Sequence, residues 1–146
     1  MNILFLGAPG SGKGTQSKNI ENKFNIPQIS TGDLLRAETE SESEMGQELK
    51  SIMSSGKFVS DDVVLKLVSK KITSSDCKNG FILDGFPRNL SQATSLDSLL
   101  NNLNLSIEYV FLIDVPADLI IKRCVGRITC NTCGKIENEY FSDFRE

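Results

Sequence analysis

The stretch Gly7-Ala8-Pro9-Gly10-Ser11-Gly12-Lys13-Gly14-Thr15 constrains the fold more than any other part of the chain. Its spacing of Gly, four residues, Gly and Lys is that of a loop that cradles phosphate. An apolar run of strand length, Asn2 to Leu6, precedes it, and a helix-forming stretch, Gln16 to Phe24, follows it. Glycines let the backbone curl until successive N–H groups point at one anion. The N-terminus of the next helix adds partial positive charge, and Lys13 adds a full one. The loop is therefore expected to hold the phosphates of a nucleotide.

The rest of the chain repeats the strand and helix alternation. Residues 81–84 and 109–114 are nearly all apolar and read as buried strands. Residues 14–25 and 90–102 read as helices, and Pro116 suits the first turn of another. This is an α/β pattern, which predicts a parallel sheet covered on both faces and joined by right-handed crossovers. Ligands of such sheets bind beyond the carboxyl ends of the strands. Asp84 and Arg88 therefore fall near the glycine loop if their strand neighbours the first one. Residues 30–59 form an all-helical insertion, opened by Ser30 or Thr31 as N-cap with Asp33 in its first turn. A second short helix spans 46–54, with Gly56 as its stop. The insertion buries little area alone, so it is a candidate mobile flap. Ser60 caps the next helix, with Asp61 and Asp62 in the first turn and Val63, Val64, Leu67, Val68 and Ile72 as its apolar stripe. In the helix after Pro116, Leu119, Ile120 and Cys124 face inward, and Arg123 and Arg127, four apart, aim at one ligand.

Composition narrows the chemistry. The 146 residues suffice for one ordinary domain, and the net charge of -3 provides no broad basic field for nucleic acid. No apolar run approaches bilayer length, and the N-terminus does not read as a signal peptide, so a cytoplasmic enzyme is expected. Histidine is absent, which excludes a histidine base, a Ser-His triad and a His-ligated metal. Cys130 and Cys133 have the spacing of half a four-cysteine zinc site. The second pair would fall beyond Glu146, so the chain is expected to stop inside a metal-stabilised loop. A redox pair and a loop without metal are the competing readings of the two cysteines.

At these residues the chain resembles adenylate kinase of the long bacterial type. The glycine loop, Ser30-Thr31-Gly32-Asp33-Leu34-Leu35-Arg36, Asp84-Gly85-Phe86-Pro87-Arg88 with Gln92 after it, and Val125-Gly126-Arg127 with the cysteine pair are similar to that family's motifs in order. The resemblance implies a P-loop nucleoside monophosphate kinase fold. Its core would be residues 1–29 and 60–125, its acceptor-binding flap 30–59, and the start of a lid 126–146. It implies reversible transfer of the γ-phosphoryl of MgATP to AMP by a monomer, giving two ADP, with neither nucleic acid nor membrane as partner. The backbone amides of Gly10, Ser11, Gly12, Lys13, Gly14 and Thr15 would cradle the donor phosphates. Lys13, Arg123 and Arg127 would meet the donor, and Arg36 and Arg88 the acceptor phosphate. Lys13, Arg88, Arg123 and Arg127 would be catalytic. Thr31, Lys57, Val59, Gly85 and Gln92 would complete the AMP pocket, with Val64 and Leu35 either packing on its base or serving as plain core. Gly14 stands where many nucleotide hydrolases carry a magnesium-binding hydroxyl. Mg²⁺ is therefore expected to be held by phosphates and water, with Asp84 in its outer shell. A structural zinc at Cys130 and Cys133 would belong to the lid. The competing functions are a kinase for UMP or CMP, a nucleotide-binding fragment without activity, and a zinc-knuckle nucleic-acid binder.

Overall fold

The computed structural model describes residues 1–55, 59–132 and 136–141. Strand β1 (Asn2–Leu6) leads through the glycine loop into helix α1 (Lys13–Phe24). Strand β2 (Gln28–Ser30) follows, then helices α2 (Thr31–Glu40), α3 (Glu44–Ser54) and α4 (Asp61–Ile72). Strand β3 (Phe81–Asp84), helix α5 (Leu90–Asn102), strand β4 (Tyr109–Leu112) and helix α6 (Ala117–Val125) complete the main body. A small antiparallel hairpin of β5 (Arg127–Thr129) and β6 (Ile136–Asn138) comes last.

The four main strands are all parallel, as the alternation of strands and helices requires, and their order is β2-β3-β1-β4. β1 and β3 are neighbours in register, with Phe5 opposite Asp84. Their carboxyl ends, the glycine loop and the Asp84–Arg88 segment, thus stand side by side. The core lies mainly on one face of the sheet, where Leu83, Ile29 and Leu4 meet Val68 and Ile72 of α4 and Leu96 and Leu100 of α5. A smaller cluster of Ile3, Phe5, Ile26 and Ile82 packs with Ile20 of α1 on the other face.

Two expectations need correction. The strand at 109–114 was expected to be buried, yet β4 ends at Leu112 and Tyr109, Val110, Phe111 and Leu112 are all exposed. β4 pairs with β1 on one side only and has no strand partner on its other edge among the described residues. Phe111 does stack on Phe5, with ring centroids 5.5 Å apart. Likewise α6 has no fully buried residue, and Cys124 is exposed rather than inward. In the flap, α2 and α3 form as expected, but Gly56 lies outside the described residues. No helix among the described residues is long and apolar enough to cross a membrane.

Candidate active site

The glycine loop takes the conformation that only glycine adopts readily. Gly10 and Gly12 have φ of 80° and 102°, in the left-handed region. Gly12 is the N-cap of α1, so the first amides of that helix open onto the loop. The Lys13 ammonium folds back over the loop, donating to the carbonyls of Gly7 at 2.7 Å and Ala8 at 3.0 Å. That bond pair holds a full positive charge at the mouth of the cradle. Ser11 is buried, and its hydroxyl has no hydrogen-bond partner among the described residues.

Opposite the loop, the end of β3 supplies the second wall. Lys13, Gly7 and Pro9 from the loop and Gly85, Pro87 and Arg88 from the β3–α5 segment line one cleft of about 390 Å³. Another depression of the same volume lies on the flap among Thr39, Glu42 and Lys50, away from the strand ends. The Phe86–Pro87 peptide bond is cis, and Gly85 has φ of 78°. The Arg88 guanidinium donates from Nε to the Gly85 carbonyl at 2.7 Å and from Nη2 to Thr31 Oγ1 at 3.4 Å. Thr31, buried at the start of α2, donates in turn toward the Gly85 carbonyl at 3.5 Å. Gln92 accepts from the Arg88 backbone N–H at 2.7 Å. Thr31, Gly85, Arg88 and Gln92 are therefore brought together, as their expected common role requires.

Asp84 reaches the loop from β3. Its Oδ2 accepts from Gln28 Nε2 at 2.7 Å, and a Cβ built on Gly14 would stand 3.8 Å from the same oxygen. Gly14 lies in helical backbone, so its lack of a side chain keeps open a space in front of a carboxylate. A hydrated magnesium ion, a hard cation that prefers oxygen and keeps much of its water, fits that space and that ligand. Gln28, which orients Asp84, was not anticipated from the sequence. The only signal is its position at the head of β2, which pairs with β3 and ends opposite Asp84 at Ser30.

The donor arginines separate. Arg123 sits on α6 and donates from Nη1 to the Ser11 carbonyl at 3.1 Å, so it is joined to the glycine loop. Cys124 adds a thiol contact of 3.5 Å to the Pro9 carbonyl. Arg127 does not share that helical face, because α6 ends at Val125 and Arg127 is exposed on β5. The four-residue spacing fails as soon as the helix stops at Gly126. Arg36 is also apart from the cleft, ion-paired with Asp33 on the exposed face of α2. Val59 is half-buried just before α4, and Lys57 lies outside the described residues. Val64 packs against the core. Cys130 is exposed beyond β5 and Cys133 lies outside the described residues. Among the described residues no group of three or more possible ligands converges on a metal, so these residues do not by themselves make a zinc site.

Comparisons with known proteins bear on this arrangement. The family model described as adenylate kinase matches residues 5–144. An adenylate kinase of Thermodesulfovibrio yellowstonii is 50% identical over 142 residues, which is 97% of this chain and 66% of that protein. One from Nitrosococcus oceani is 46% identical over 97% of this chain and 65% of its own length. One from Archaeoglobus fulgidus is 44% identical over the whole chain and 67% of its own length. The chain thus spans about two thirds of the length of the curated relatives it matches.

Proposed function

Because this chain belongs to the adenylate kinase family, we propose that its cleft transfers the γ-phosphoryl group of ATP reversibly to AMP, giving two ADP. The observation that carries the reading is that Lys13 and Arg88, from two neighbouring strand ends, line one cleft. A phosphoryl transfer asks the protein mainly to align two nucleotides and neutralise their charge. A chain without histidine but with these cations meets that demand.

In this reading the amides of residues 10–15 cradle the donor phosphates, and Lys13 exchanges its loop carbonyls for phosphate oxygens. Arg123 steadies the donor side from α6, and Arg127 joins it from the hairpin. Arg88, preset on Gly85 and Thr31, grips the acceptor α-phosphate through its planar fork. Arg36 joins when it leaves Asp33. Gln92, Thr31, Val59 and Lys57 shape the AMP side. An acceptor α-phosphate oxygen attacks the γ-phosphorus, the bond to the β,γ-bridging oxygen breaks, and ADP leaves. Magnesium bound to the donor phosphates would neutralise the developing charge, with Asp84 hydrogen-bonding its water. Residues 1–29 and 60–125 act as the core, 30–59 as the flap, and 126–146 as the start of the lid. Closure of flap and lid keeps water from the γ-phosphorus. The enzyme works as a cytoplasmic monomer.

Lys13→Ala and Arg88→Ala test the reading. Each is expected to lower kcat by two or more orders of magnitude, roughly the loss of one preorganised charge in such a site. Thermal unfolding should change little, because Lys13 bonds to loop carbonyls and Arg88 to the Gly85 carbonyl, with one long bond of 3.4 Å to Thr31. Near-normal turnover in either variant overturns the assignment.

A further inference from the structure

We propose that Asp61 is a positioning residue for the acceptor side of the cleft, acting through Gln92 on Arg88. The inference rests on the phosphoryl-transfer reading above and adds a residue to it. Gln92 is only 8% exposed, and both ends of its side-chain amide are engaged. Oε1 accepts from the Arg88 N–H at 2.7 Å, and Nε2 donates to Asp61 Oδ1 at 2.6 Å. The Gln92 backbone N–H is held as well, donating to Asn89 Oδ1 at 2.8 Å.

The two ends of a primary amide have nearly the same shape, so sterics do not choose between them. The partners do. An ionised carboxylate only accepts, so Asp61 draws the NH₂ end toward itself and leaves the oxygen for Arg88. With the amide turned over, an NH₂ group would face the Arg88 N–H, donor against donor. The Arg88 backbone would lose its bond at the residue whose guanidinium sits on Gly85 and Thr31. A bond to a charged acceptor is worth more than a neutral one, which gives Asp61 the stronger hold on the amide.

Asp61 reaches this point from a separate part of the chain. It is the first residue of α4, where the polypeptide returns from the flap, while Gln92 and Arg88 belong to the β3–α5 region. One side-chain bond therefore ties the base of the flap to the main chain of the acceptor-binding arginine. Asp61 itself is exposed, so its loss leaves the core intact. Asp62 shares the first turn of α4 and its favourable interaction with the helix dipole, but not the bond to Gln92.

The test compares the wild-type chain with Asp61→Ala, Asp61→Asn and Asp62→Ala. Two quantities are read: the hydrogen-exchange rate of the Arg88 amide by NMR, and the KM values for AMP and ATP. Asp61→Ala is expected to speed Arg88 exchange and to raise the AMP KM about tenfold, as for loss of one charge-assisted bond, with the ATP KM unchanged. Asp61→Asn keeps an acceptor oxygen and should restore most of both. Asp62→Ala should match wild type in both. Unchanged Arg88 exchange and AMP KM in Asp61→Ala, or equal defects in Asp62→Ala, or no rescue by asparagine, overturns the proposal. Failure of wild type to phosphorylate AMP overturns the phosphoryl-transfer reading alone, and Arg88 exchange then decides the role of Asp61.

Discussion

Gly10 and Gly14 lie in the same loop and answer to different physics. Gly10 has φ of 80°, and a Cβ on it would stand 2.6 Å from Cys124 Sγ. Alanine there meets both backbone strain and a clash with α6. Gly10→Ala should therefore lower stability by about 1–3 kcal/mol, measured by denaturant unfolding. Gly14 is helical, and its added Cβ would meet only Asp84 and Gln28 at ordinary contact distance, 3.8 and 4.0 Å. Gly14→Ala should fold as well as wild type but require more Mg²⁺ for half-maximal turnover, read from a magnesium titration at fixed ATP. At this scale the sequence pointed to residues more clearly than to whom they touch. The loop and Arg88 stood out because their types and places at strand ends suit phosphate, and Gln92 only through the family resemblance. The bonds from Gln28 to Asp84 and from Asp61 to Gln92 were not, because they join segments 56 and 31 residues apart whose distance only the fold sets.

The helices were legible where their ends carry a chemical signal. Ser30 caps α2 by accepting from the Asp33 N–H at 3.4 Å, and α5 spans the expected 90–102 behind an Asn89 cap. Ser60 occupies the N-cap of α4 without a side-chain bond. α6 misled because a run of four-residue spacing does not announce where a helix stops, and Gly126 ended it before Arg127. Besides the packing of Leu34 on the core, α2 is joined to α4 by a pair the sequence did not indicate, Lys70 of α4 and Glu38 of α2 at 3.4 Å. The Ser43 hydroxyl is the largest influence and lowers the Glu38 carboxyl from its ordinary value of 4.5; burial, next in size, opposes it, and Lys70 and the Ser41 hydroxyl add to the lowering. A folded-state pKa below the unfolded one stabilises the protein above the unfolded value and loses that effect as pH falls through the folded value. Glu38→Gln should thus lower Tm at neutral pH, and the difference from wild type should vanish as the medium is acidified below the carboxylate range. A Tm gap that persists or widens in acid would contradict the assignment.

For the whole molecule, the alternation of strands and helices announced a parallel sheet but not its strand order, and the observed order puts the two signature loops at adjacent strand ends. On the proposed reading, that adjacency makes the phosphate cradle one half of a two-nucleotide site. The exposure of β4 was not legible, since an apolar strand reads the same whether or not something covers it. On the proposed reading the cleft joins a donor at Lys13 to an acceptor at Arg88. The decisive measurement follows the γ-phosphoryl of labelled ATP in the presence of AMP, CMP, UMP or water alone. Label is expected in ADP when AMP is present, with CMP and UMP poor acceptors and little free phosphate. Label released chiefly as inorganic phosphate, or transferred preferentially to CMP or UMP, would contradict it.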